Sequence, residues 1–241
     1  YHPFDDQGRL ISSAEINVQR DIDEIAVLVD CVQRLGDTPH PIITLLDGPL
    51  ALRVIDLPFE QQKQRQNEYI EILTDLQQLR AWSAGYIDRP RSTYILSLLH
   101  LAALEPETFS EDTLRRNPFR YLTDLALFDD LPPGRRSALF TIKAKNQEKY
   151  TQTGHAIHFF YVNVSQNEKL PALARVEIPA WLAADETALN TLHAALVHQA
   201  RLTGGYPYVL ARADELAVIS SEERAALDMM IGIEMRRQGL K

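Results

Sequence analysis

Apolar positions recur at helical spacing early in the chain. Val18, Ile22, Ile25, Ala26, Leu28, Val29 and Val32 make one stripe, so residues 14–35 read as an amphipathic helix closed by Gly36. Glu24 adjoins that stripe, while Asp21 and Asp23 lie further around the helix. Beyond a short linker the pattern changes. Ile42-Ile43-Thr44-Leu45-Leu46-Asp47 is an apolar run between Pro41 and Gly48, and it ends in an acid. Such a run predicts an interior strand of an α/β sheet. Residues 50–57 extend it as a strand or an extended turn. A polar, Gln-rich helix follows over about 60–82, then a short strand and turn over 83–90, then an apolar helix over 92–101. Pro106, Pro118 and the Leu131-Pro132-Pro133-Gly134 turn break 104–136 into short helical pieces.

The second half is rich in strands. Residues 137–143, 156–164 and 173–178 are aromatic or β-branched runs between polar turns, the pattern of antiparallel strands. A helix over 186–202 has Asp185 as its N-cap. Another runs from Tyr208 to about Val218, and Ser221 is placed to cap a last one. Without a repeat, low-complexity tract or strong boundary, residues 1–241 read as a single α/β domain.

Composition narrows the chemistry. One cysteine, Cys31, excludes an internal disulfide and a thiolate zinc site, and fits a reducing cytoplasm. No apolar segment is long enough to span a bilayer. A net charge of −8 argues against a wholly basic polyanion binder, but the charge is uneven. Residues 1–60 carry 11 acids against 4 Lys and Arg. Residues 134–150 hold Arg135, Arg136, Lys143, Lys145 and Lys149 against Glu148 alone, and Arg89 and Arg91 form another basic group. An acidic half with basic segments suits a metal-carboxylate site beside a phosphate-binding surface, or simply solvated faces. Phosphate-binding glycine loops and the GxSxG elbow are absent, which sets aside P-loop, dinucleotide and serine-hydrolase chemistry.

Carboxylates remain: Glu24 on a helix, Asp47 at a strand end and Asp214 on a late helix. Ligands of open α/β sheets lie outside the carboxyl ends of the strands, and a carboxylate there is a natural ligand for a hard cation. Converging acids would hold one or two cations for phosphodiester cleavage. The alternative for Asp47 is a turn acid ahead of Gly48-Pro49, and for Glu24 and Asp214 a solvated helix face.

Four segments together resemble the NurA nuclease family. They are Leu45-Leu46-Asp47-Gly48-Pro49-Leu50, Gly85-Tyr86-Ile87-Asp88-Arg89-Pro90-Arg91-Ser92, Ala174-Arg175-Val176-Glu177-Ile178-Pro179, and 205–219 beginning Gly205-Tyr206-Pro207-Tyr208. The resemblance implies an α/β, ribonuclease H-like mixed central sheet flanked by helices. It also implies a metal-dependent deoxyribonuclease that uses Mn²⁺ or Mg²⁺ in DNA end resection and repair. Its implied partners are DNA, a HerA-type hexameric translocase and a second copy of itself, with no membrane.

Carried over by position, Asp47 matches the acid of the family's second Asp-Gly motif. Glu24 matches the helical glutamate, with Glu15 as its rival. Asp214 stands where the family has histidine in an Ala-His pair. Tyr206 corresponds to a site tyrosine or is a packing residue. Arg89, Arg91, Arg135, Arg136, Lys143 and Lys145 are the DNA contacts this reading expects. The family's first Asp-Gly-Ser strand has no match in residues 1–11, so a truncated N-terminus or a lost ligand is expected. The second reading is a non-catalytic NurA-like scaffold that binds DNA or a translocase.

Overall fold

The computed structural model describes residues 11–237 except 109, 111, 114–115, 142–146 and 168. Helix α1 is Ser13–Leu35 and opens on a capping box, in which Ser12 and Glu15 satisfy each other's backbone amides. It closes at Gly36, at φ 63°. Strand β1 is Ile42–Asp47, followed by α2 (Phe59–Gln78), β2 (Ala81–Asp88) and α3 (Tyr94–Ala102). Then come β3 (Phe140–Thr141), α4 (Glu148–Gln152), β4 (Ile157–Asn163) and β5 (Leu173–Pro179). The chain ends in α5 (Ala180–Ala183), α6 (Glu186–Thr203), α7 (Tyr208–Leu216) and α8 (Ser221–Arg237).

The strands form one mixed sheet in the order β1-β2-β5-β4-β3. β1 and β2 are parallel, and every other pairing is antiparallel. A five-stranded mixed sheet flanked by helices agrees with the ribonuclease H-like class. Alternation along the strands divides the core. Ile42 and Leu46 meet α1 and α2, whereas Ile43, Leu45, Ala84, Tyr86, Val176 and Ile178 meet α6. The stripe predicted for α1 is buried at Val18, Ile22, Ile25, Val29 and Val32.

Three local expectations are corrected and one open choice is settled. Among the described residues β1 pairs only with β2, so it is an edge strand rather than an interior one. Its apolar run is explained by helices on both faces. Of the two readings of residues 50–57 the turn holds: they form no strand, and the Leu50 and Leu52 amides go to side chains of other elements. The helix expected to reach residue 82 ends at Gln78, and Arg80 turns the chain at φ 58° into β2. Finally, Ser220, not Ser221, caps α8, in reciprocal bonds with Glu223.

Candidate functional site

Asp47 ends β1, and its register partner on β2 is Tyr86. By alternation Asp47, Tyr86 and Asp88 share the sheet face covered by α6. The carboxyl ends of the two parallel strands therefore present two acids side by side. The chain then turns sharply. Gly48, at φ 139°, donates its amide to the Tyr86 carbonyl at 2.8 Å, and residues 48–50 fold back across β2 at Gly85. The approach is so close that a Cβ on Gly85 would sit 2.4 Å from the Leu50 nitrogen. Only glycine fits there.

On one side of Asp47 lies a cavity of about 150 Å³ lined by Arg20, Asp21, Glu24, Asp47, Arg53 and Tyr69, with backbone and apolar atoms between them. The Glu24 carboxyl is raised above its ordinary value by partial burial first and by the Asp21 carboxylate next. Arg20 opposes this, and Asp47 adds a smaller like-charge push. Glu15 does not enter the cavity. It caps α1 and accepts from Gln61 at 2.9 Å, so Glu24 is the helical acid placed beside Asp47.

On the other side stand two tyrosines. Tyr206 packs edge-on against Tyr86, with ring centroids 5.6 Å apart. Its hydroxyl is held well above the usual phenol range by burial first, then by a hydrogen bond to Asp47, with the charges of Asp47, Asp88 and Asp214 adding. Tyr86 is fully buried, and its hydroxyl has no hydrogen-bond partner. Asp214 lies exposed on α7, and its charge acts on Tyr206, which is hydrogen-bonded to Asp47. The three acids singled out from the sequence are thus two in one cavity and a third outside it. Among the described residues no three His, Cys, Asp or Glu side chains gather as a metal-holding group. The donor set fits one hard cation on Glu24 and Asp47, with water or substrate oxygens completing its shell.

The basic residues divide by position. Arg89 is exposed and bonded to its neighbour Asp88 at 2.8 Å, and Arg91 is exposed just beyond it. Arg135 and Arg136 lie beside the Asn163 end of β4, which the pairings through Ala174 bring to the same end of the sheet as Asp88. Arg135 is exposed there. Arg136 instead ties the loop to α6, bonding Asn190 at 2.9 Å with its guanidinium over the Phe160 ring. Lys143 and Lys145 lie outside the described residues, as do residues 1–10.

Asp88 has no role of its own in the sequence pattern beyond its place in the 85–92 segment, and Asp21 lies further around the helix than Glu24. The signal for Asp88 was its place at the end of a strand next to that of Asp47. No described helix is long and apolar enough to cross a membrane. Compared with known protein families, residues 3–219 match the model of the NurA domain. No curated protein and no solved structure matches the chain.

Proposed function

The chain belongs to the NurA domain family, a family of nucleases, and from that premise we propose that it is a divalent-metal-dependent deoxyribonuclease. It would act on DNA ends in resection and repair in the cytoplasm, as a homodimer with a HerA-type translocase. The observation that supports this reading is the cavity lined by both Glu24 and Asp47, where a helix acid and a strand-end acid lie near enough for the charge of Asp47 to add to the rise of the Glu24 carboxyl. Glu24 and Asp47 would hold Mn²⁺ or Mg²⁺. Such an ion, when bound, lowers the pKa of a water and offsets charge on the phosphate.

The remaining work falls to the chain's own residues. Tyr206 orients the Asp47 carboxylate through its hydroxyl. Arg20 and Arg53, which line the same cavity, would contact the non-bridging oxygens of the phosphate being cut. Arg89, Arg91 and Arg135 offer phosphate contacts along that end of the sheet. Arg136 serves the fold instead.

The test is cleavage of linear DNA by the purified protein with Mn²⁺, Mg²⁺ or EDTA. Cleavage that needs the cation and disappears in Asp47→Ala supports the proposal. Full activity of that variant with unchanged metal dependence removes Asp47 from the site. Absence of both cleavage and calorimetric Mn²⁺ binding in the wild type leaves the DNA- or translocase-binding scaffold.

A further inference from the structure

Glu177 is an acid in the middle of a strand, between Val176 and Ile178, and its side chain is only 7% exposed. Burying a charge is costly unless it is paired and hydrogen-bonded. Both conditions are met. One carboxylate oxygen accepts from Arg175 at 2.8 Å, and the other accepts from the Leu50 amide at 2.9 Å. Arg175 is itself buried, with its guanidinium over the rings of Tyr94 and Phe159. The pair sits on β5, next to β2, and Glu177 is in register with Gly85. Gly85 is the glycine over which residues 48–50 cross.

Leu50 is therefore gripped on both sides of its peptide units. Glu177 takes its amide, and the Tyr69 hydroxyl donates to its carbonyl at 2.9 Å. Two residues on, the Leu52 amide donates to the Tyr150 hydroxyl at 2.9 Å. Three side chains from α2, α4 and β5 thus replace a strand ladder for the segment that leaves Asp47.

We propose that Glu177, charge-balanced by Arg175, is a positioning residue that sets the direction of the chain at Asp47 and so the place of its carboxylate in the cavity. The role rests on the reading of Asp47 as a metal ligand, but its mechanical part does not. Glu177→Gln keeps the size of the side chain. An amide cannot offer acceptors to both Arg175 and Leu50 as the carboxylate does, because one of its two heads is a donor.

Two measurements on the full chain test it. Hydrogen exchange read by mass spectrometry follows peptides covering 48–52, and calorimetry with Mn²⁺ alone follows cation binding. Asn163→Ala is the control, since Asn163 is a buried side chain that clamps a different loop through Leu131, Ser165 and Ala172. In Glu177→Gln and Arg175→Met, exchange at 48–52 should quicken at least about tenfold and Mn²⁺ binding weaken by a similar factor. The control should move neither. Unchanged exchange at 48–52 in a folded Glu177→Gln overturns the proposal, as does an equal effect in the control. If exchange quickens while neither Glu177→Gln nor Asp47→Ala alters Mn²⁺ binding, the metal assignment of Asp47 fails and the loop anchor stands. If Asp47→Ala abolishes binding and Glu177→Gln leaves it unchanged, the positioning role is overturned.

Discussion

Glu24 and Asp47 face one cavity from different elements, and the charge on Asp47 helps to raise the Glu24 carboxyl. The pH consequence has a definite sign. A group raised in the folded chain binds protons more tightly folded than unfolded, so its contribution to stability is present at low pH. That contribution is lost as the pH climbs from the ordinary value of 4.5 through the raised one. In EDTA at pH 7, Glu24→Gln should therefore melt higher than the wild type, with the gain vanishing below pH 4. Excess Mn²⁺ should reverse the order, since a cation at about 100 times its dissociation constant adds about 2.7 kcal/mol to the protein that binds it. Melting curves at three pH values check this.

Gly85→Ala should be costly out of proportion to one methyl group. Its Cβ would overlap the Leu50 nitrogen, the Gly48 oxygen and the Pro49 carbonyl carbon, all backbone atoms that cannot rotate away. The expected loss is about 2–3 kcal/mol, or roughly 5–10 °C in Tm for a chain of this size. Metal-dependent cleavage should fall further than stability accounts for.

Asp214 supplies an oxygen donor where the family resemblance expects an imidazole. Since Asp214 lies outside the cavity of Glu24 and Asp47, Asp214→His should leave the ratio of Mn²⁺- to Mg²⁺-supported cleavage unchanged. A severalfold rise would instead bring residue 214 into the ligand set, because imidazole suits the softer transition metals.

The basic residues should separate by readout. Arg89→Ala, Arg91→Ala and Arg135→Ala should each reduce the salt slope of DNA binding by about 1. Arg136→Ala should leave that slope alone and cost about 1–2 kcal/mol of stability, through the lost Asn190 bond and the contact with Phe160. Fluorescence anisotropy across a salt series, paired with urea melts, distinguishes the two groups.

Much of this was legible in local pattern. The stripe of α1, the acid closing β1 and the Asp185 cap of α6 are written within a few residues of where they act. The stop of α2 was not, because Arg80 takes a left-handed backbone that the sequence would assign to glycine or asparagine. That β1 has one paired edge among the described residues was also hidden, since a strand covered on both faces reads as apolar throughout whether or not both its edges are paired. Glu177 was quoted as part of a motif without a role. Its meaning comes from Leu50, and no window around either residue contains the other.

That separation bears on how the molecule assembles. Leu50 and Glu177 are 127 positions apart, and Tyr150, which holds Leu52, is 98 positions away. A ribosome delivers Asp47 long before it delivers either anchor. Contacts of such sequence span form late, because their loop entropy is lost before they contribute any stability. The nascent chain therefore carries Asp47 well before Tyr150 and Glu177 exist to hold the segment that follows it. The geometry at Asp47 becomes a property of the finished sheet.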